Sequence, residues 1–368
     1  MSNVPKLRFG EFNGEWEEKG FEDVLRAVPT KSYQVKSSKV LEKGMHKVVD
    51  QGRKLIAGYS NEQNKLYNGG EVIVFGDHTT IIKYIDFNCI VGADGTKLLK
   101  TTKENSLRCI YNSLIHNNVK QEGYKRHFSI LKNIKFNLPT KPEQEKIASF
   151  LTAVDKKIEL LTKKESLLQE YKKGVMQKIF SQEIRFKDDD GSEFGEWEEK
   201  KLGDVIIENK KSNIQVNHVS NDTEKDKLNK YPFFTSGQKV YFTNNFILDG
   251  NNIFLSTGGV ANVIFSDRKC SYSTDTYSVS SKKENVKFLY YLIAENLRFI
   301  QRTLFTGSGL KHLDKKGFKA MKVNLPCLKE QNKIANFLST IDKKIEVTKK
   351  QLEKTKTYKK ALLQQMFV

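Results

Sequence analysis

At 368 residues the chain is too long for one ordinary hydrophobic core, so two or more domains are expected. Its 63 Lys and Arg against 44 Asp and Glu give a formal charge of +19, which points to a polyanionic partner. No apolar run approaches the length of a membrane span, Lys6, Arg8, Glu11 and Glu15 punctuate the region where a leader would lie, and Cys89, Cys109, Cys270 and Cys327 form no CxxC pair, so a cytoplasmic protein with reduced thiols and no membrane partner is expected.

The chain opens with LRFGEFNGEWEEKGFEDV at 7–24. Within residues 45–100, Lys54–Tyr59, Glu71–Phe75 and Thr80–Ile85 read as strands, with turns signalled by Gly58, Gly69, Gly70 and Gly76. Leu107–Asn117 reads as a short helix. From Leu138 to Phe180 one long helix is predicted: Pro142 suits its first turn, Glu143 and Glu145 suit its positive end, and only Gly174 interrupts it. Ile147, Leu151, Val154, Ile158, Leu161 and Leu168 form an a/d seam that Val175 and Ile179 continue, with Glu165 and Lys172 as polar steps. A helix from Pro142 to Phe180 would be roughly 58 Å long.

The whole arrangement then repeats. IRFKDDDGSEFGEWEEKKLGDV at 184–205 echoes the opening, with GEWEEK recurring at an offset of 181. Strands are predicted at Asn252–Ser256, Val260–Ser266 and Thr276–Ser280, and a helix at Phe288–Arg302. Leu325–Phe367 matches Leu138–Phe180 without a gap at an offset of 187, sharing EQ-KIA-FL, DKKIE, YKK and the final Phe. Its seam is Ile334, Leu338, Ile341, Ile345, Leu352 and Leu362, then Met366, interrupted by Thr348, Thr355 and Lys359. Two equal helices, each with one narrow stripe, can bury those stripes against each other as a coiled coil; the alternative is that each packs on its own neighbouring domain. The middles, 30–120 and 210–305, show little mutual likeness. The expected segments are 1–141, 142–183, 184–324 and 325–368: a mixed, β-rich globular domain, a helix, a second such domain and a second helix, in an α/β chain with an internal pseudo-two-fold repeat.

Catalytic constellations do not emerge. There is no GxxxxGK[ST] loop, HExxH, GxSxG or NPPY-like tetrapeptide, and TGSGLKH at 306–312 lacks the third glycine of a dinucleotide fingerprint. The DDDG at 188–191 lacks the spacing of a calcium loop. The six histidines, His46, His78, His116, His127, His218 and His312, are scattered, and no metal set is expected. Candidate DNA contacts are the basic and amide residues that share glycine-bounded loops with aromatics. In the first half these are Arg53, Lys54, Tyr59, His78, Thr79, Lys125 and Arg126; in the second, Ser236, Gln238, Lys239, Tyr241, Lys311 and His312. Arg and Lys bond phosphates or guanine edges, and Gln pairs with adenine. The loops GYKRHF (123–128) and GLKHL (309–313) occupy equivalent places in the repeat. Singly, each such Lys is as readily a solvated surface residue and each Tyr a packing residue.

The LRF…GEWEE opening, GDHT at 76–79, GADGTKLL at 92–99 and above all the repeated LP…EQ-KIA-FL…D-KIE helix resemble the type I restriction–modification specificity (S) subunits, across essentially the whole chain. The resemblance implies two target-recognition domains, each reading half of a split double-stranded DNA site. It implies that the two helices pair antiparallel, separate the domains and set the spacer. Two modification subunits would dock on them and methylate adenine with S-adenosylmethionine; restriction subunits can join and use ATP and Mg. The chain itself would be non-catalytic and hold no cofactor. A scaffold whose globular domains bind other proteins is the alternative.

Overall fold

The computed structural model describes residues 3–92, 94–123, 125–216 and 231–368. The chain folds into two compact units, Met1–Lys163 with Lys349–Val368, and Lys164–Thr348. Each unit therefore holds one globular body and a stretch of both long helices.

In the first unit a four-stranded antiparallel sheet runs in the order Leu25–Val28, Thr96–Thr101, Val72–Gly76, Ile82–Ile85. The Val72–Gly76 run is buried throughout, as its unbroken apolar sequence requires of a central strand. A second sheet orders Gln34–Val35, Cys89–Gly92, His46–Val49 and Gly58–Ser60, with Cys89–Gly92 parallel to both its neighbours. The Leu107–His116 helix packs Ile110 and Leu114 onto Ile73, Phe75 and Leu99.

The second unit repeats this plan although its middle sequence does not. Ile207–Glu208, Thr276–Ser280, Asn252–Ser256 and Val263–Ser266 form the same antiparallel order. Tyr231–Phe234 pairs antiparallel with Tyr241–Thr243 and parallel with Ser271–Tyr272, as His46–Val49 pairs with its neighbours. The helix is Val286–Glu295, and its side chain at the N-cap, Asn285, accepts from the Phe288 N–H as Ser106 accepts from the Cys109 N–H.

The motifs that recur in the sequence are the joints of this plan. Glu17–Gly20 pairs with Lys135–Leu138, and Glu198–Lys201 with Lys322–Leu325, so each GEWEEK segment is tied to the strand before a long helix. Arg8 donates two bonds of 2.7 Å to Glu143, whose side chain is 1% exposed, and holds the Asn13 and Gly14 carbonyls. That carboxylate raises the Arg8 guanidinium above its ordinary pKa. Arg185 repeats the arrangement on the fully buried Glu330 and the carbonyls of Phe194 and Gly195. The next residue, Gln144, accepts from the Ser106 N–H and donates to the Pro139 carbonyl; Gln331 does the same with Asn285 and Pro326. The repeated EQ dipeptide thus anchors each long helix to its globular body.

Those helices span Lys141–Phe180 and Leu328–Met366. In the first unit Ile147, Leu151 and Val154 pack with Leu362, Leu363 and Met366, and Asp155 pairs with Lys359 at 2.5 Å. In the second, Met176 and Ile179 pack with Ile334, Leu338 and Ile341, and Lys172 pairs with Asp342 at 2.6 Å. Early residues of one helix meet late residues of the other in both units, so the pairing is antiparallel. Leu352 is buried, and Ile158, Leu161, Leu168 and Ile345 are half-buried. The polar steps are accommodated: Lys172 and Lys359 are the ion-pair partners, and Thr348, 2% exposed, donates its hydroxyl to the Lys344 carbonyl. Met176 is buried where Val175 is half-buried.

Four local expectations change. The long helices expected from Leu138 and its counterpart Leu325 begin at Lys141 and Leu328, because Leu138 and Leu325 end the strands that pair with the GEWEEK segments. Of Lys54–Tyr59 only Gly58 and Tyr59 belong to a strand, Gly58–Ser60, because the chain from Asp50 to Lys54 curls around the Lys83 ammonium. The strand expected from Val260 begins at Val263, because the Ser256 hydroxyl closes a turn onto Val260 and Asn262. The helix expected to run to Arg302 is broken at Asn296, whose side chain takes the Leu292 carbonyl; helical turns resume at Leu297–Phe299 and widen at Ile300–Leu304.

Candidate nucleic-acid interface

In the first unit four loops converge at the ends of the strands. The loop after His46–Val49 carries Arg53 and Lys54, both exposed. It is shaped by Lys83, 5% exposed, which donates to the Asp50 and Lys54 carbonyls at 2.7 and 2.5 Å. Burial pushes the Lys83 ammonium below its ordinary pKa, opposed by Asp50. Gln51 joins this loop to two others. Its amide oxygen accepts from the His78 N–H at 3.1 Å, its amide nitrogen donates to the Asp94 carbonyl at 3.1 Å, and its carbonyl accepts from the Thr79 hydroxyl at 2.6 Å. Gly95, at φ +85°, lies so close that a Cβ there would sit 2.8 Å from the His78 ring.

Asp77 brings in the fourth loop. Its carbonyl accepts from the His127 N–H and Nδ1, and its carboxylate from the Phe128 N–H. His127 Nε2 accepts from the Glu122 N–H, which fixes a neutral Nδ1–H tautomer in the fully buried ring. The loop so held displays Lys125 and Arg126, both exposed. Lys125 pairs with Glu122 and holds that carboxylate below its ordinary pKa. The Asp77-His78 dipeptide, which in sequence resembles half of a catalytic triad, is therefore a loop joint. Tyr59 is engaged in its strand, where its backbone exchanges two 2.8 Å bonds with Leu41.

The second unit builds the same cluster with other side chains. The Ser236 hydroxyl donates to the Asp275 carbonyl, which also accepts from the Thr257 hydroxyl at 2.8 Å. The Thr257 carbonyl accepts from the Leu313 N–H and meets His312 Nδ1 at 3.2 Å, and the Lys311 carbonyl accepts from the Gly259 N–H. Gln238, Lys239, Lys311 and His312 are exposed on these loops, and the Lys239 ammonium lies 4.8 Å from the centre of the Tyr241 ring. Ser236 thus has its hydroxyl engaged by a neighbouring loop, in the place that Gln51 occupies in the first unit. Ala93, Tyr124 and His218 lie outside the described residues. Among the described residues no cluster of three His, Cys, Asp or Glu could hold a metal, and no helix is long and apolar enough to cross a membrane.

Gln51, Asp77, His127 and Thr257 do not stand out in the sequence. A single Gln before a glycine carries no motif, and its role appears only when three loops close on it.

A family model described as the type I restriction modification DNA specificity domain matches residues 13–170 and again 195–357. The chain belongs to this family. Among curated members of the specificity family, it is 28% identical over 264 residues to the type I restriction enzyme MjaVIII specificity subunit of Methanocaldococcus jannaschii, covering 64% of this chain and 61% of that one. A putative MjaX specificity subunit from the same organism is 29% identical over 253 residues, 63% of this chain and 58% of the relative. The match thus spans about three fifths of each relative's length. The crystal structure of a type I restriction–modification S subunit from M. genitalium superposes with a TM-score of 0.74 over 99% of both chains at 17% identity, which establishes the shared fold.

Proposed function

We propose that this chain is the DNA-specificity subunit of a type I restriction–modification complex. Each unit reads one half of a bipartite duplex target through its loop cluster: Arg and Lys supply phosphate and guanine contacts, and Gln238 an adenine-type contact. The paired helices set the gap between half-sites and dock two modification subunits. S-adenosylmethionine belongs to those subunits, and ATP and Mg to restriction subunits that join them; this chain supplies the address.

One observation carries the reading. Both units use the same strand order and the same loop set, tied at equivalent places, yet present different side chains: Arg53, Lys54, Lys125 and Arg126 in one, Gln238, Lys239, Lys311 and His312 in the other. A constant frame with changed exposed residues suits two readers of two different sequences. The names of the relatives, restriction-enzyme specificity subunits, agree with it. The test is to map methylated sites in cells with and without the chain, then with residues 30–120 exchanged for those of a relative. One half-site should change and the other persist; a change in both would refute independent reading.

A further inference from the structure

Two large apolar side chains stand open to solvent on the loop cluster of the second unit. Val260 is 76% exposed and Leu310 67%; of the other large apolar side chains among the described residues, only Met45, at 74%, is comparably open. Single exposed aliphatic residues are ordinary on any protein surface. These two differ in being held out by fastened backbone. The Ser256 hydroxyl donates to the Val260 carbonyl at 2.7 Å, and the Gln301 side-chain oxygen takes the Ala261 N–H. Gly307, at φ +131°, turns the chain so tightly that a Cβ there would meet the Leu310 carbonyl oxygen at 2.9 Å. The Gly259 N–H donates to the Lys311 carbonyl at 3.0 Å, so the chain neighbours of Val260 and Leu310 are bonded to each other.

The surroundings suit base edges. The Asn262 side-chain amide reaches the Gly237 carbonyl at 3.4 Å, which places the Gln238 loop beside the Val260 loop. Lys239, Lys311 and His312 are exposed on the same cluster, and so is Asp275, whose carbonyl takes the Ser236 and Thr257 hydroxyls. A carboxylate and two aliphatic side chains offer nothing to a phosphate. In the major groove a base edge presents amino donors to the carboxylate, and thymine presents a methyl group to the aliphatic chains. The first unit does not repeat the pair: its loop matching that of Val260 carries His78 and Thr79, and the residue matching Leu310 is Tyr124.

We propose that Val260 and Leu310 read thymine methyl groups in the major groove of the half-site bound by the second unit. This rests on the specificity-subunit reading above and adds a base that the half-site must contain. An adenine bonded by Gln238 is paired with a thymine whose methyl lies in the same groove, so the Gln238 and Val260 loops can take the two sides of one base pair. The competing use of an exposed aliphatic residue is insertion between base steps from the minor groove, which falls to longer side chains. Val260 is short and β-branched, with few rotamers, and suits a contact on a surface.

The experiment is a gel shift of the full chain with its modification subunits on a duplex carrying the mapped methylation target. Thymines are replaced one at a time by uracil, which lacks only the methyl. The half read by the second unit is the one that persists when residues 30–120 are exchanged. Wild type should lose about fourfold in affinity at one or two uracil positions in that half, the scale of one buried methyl. Val260→Ala and Leu310→Ala should each abolish the loss at one of those positions and leave the salt dependence unchanged, since no phosphate contact is removed. Both side chains are exposed, so alanine at either place leaves the core intact. A half-site without thymine, wild-type binding that ignores uracil throughout that half, or uracil losses that persist in both variants would overturn the proposal. Equal weakening of the variants on thymine and uracil duplexes, the mark of a wedge, would overturn it too. In each of these cases specific binding by wild type keeps the subunit reading in place. Failure of wild type to bind the mapped duplex would instead refute that reading, and the proposal with it.

Discussion

Replacing Arg8 with Ala should destabilise the protein more than the same change at Arg185, although the two residues hold equivalent places. Glu143 takes two 2.7 Å bonds from Arg8, while the nearby Trp16 Nε1 is buried without a hydrogen-bond partner. Glu330 takes bonds of 3.3 and 2.8 Å from Arg185 and a further one of 3.3 Å from Trp197 Nε1. Stripping the partner from a buried carboxylate costs about 3–5 kcal/mol. Arg8 is itself 15% exposed, so water reaches the vacated site and the lower end, about 3 kcal/mol, is expected. At Glu330 the indole bond to a charged acceptor survives and retains about 1.5 kcal/mol, leaving a loss of about 1.5 kcal/mol. Urea unfolding followed by circular dichroism gives both free energies. The two tryptophans, one in each unit, report by fluorescence which unit yields first. Equal losses, or a loss below about 0.5 kcal/mol for Arg8→Ala, would refute the reasoning, since that is the scale of an ordinary surface change. Replacing Arg8 by Met together with Glu143 by Leu should be close to neutral, because no unpaired charge remains.

Gln51→Ala should unfasten three loops and lower DNA affinity about tenfold through the first half-site alone, measured by gel shift on duplexes altered in one half at a time. Lys125→Ala with Arg126→Ala should reduce the salt dependence of binding by roughly 0.9 in log–log slope for each phosphate that the pair neutralises, and a base-specific effect would assign them to readout instead. Inserting four residues between Leu161 and Leu168 lengthens that helix by about 6 Å and should widen the tolerated gap by one or two base pairs, of about 3.4 Å each, while both half-sites persist. Seven residues should keep the seam in phase and widen the gap further; an unchanged methylated motif in a folded variant would show that the helices do not set it.

The long helices and the duplication were legible because they depend on periodicity and on repeated words, and both survive in Ile147, Leu151 and their counterparts. The likeness of the two middles was not legible. A strand order is kept by burial and pairing, so Val72–Gly76 and Asn252–Ser256 occupy the same place in their sheets with only Ile73 and Ile253 in common. Ser236 illustrates a second limit: its loop and hydroxyl suggest a contact to DNA, but only the fold shows that the hydroxyl is engaged by the Asp275 carbonyl. The curl around Lys83 is a third case, where one buried ammonium draws two carbonyls out of a segment whose composition suits a strand.

The crosswise ion pairs bear on how the molecule avoids its own duplicates. Asp155 and Lys172 lie in one helix, Asp342 and Lys359 in the other, so each copy carries both the acid and the base. Such a code is self-complementary and does not distinguish a helix from its counterpart in another molecule. What distinguishes them is the covalent connection through the second globular body, which keeps the correct partner within reach in the same molecule. Fidelity of pairing in this chain is therefore a matter of connectivity and dilution. Crowded chains caught before both helices are in place have an exchanged dimer open to them, built from the same contacts as the monomer.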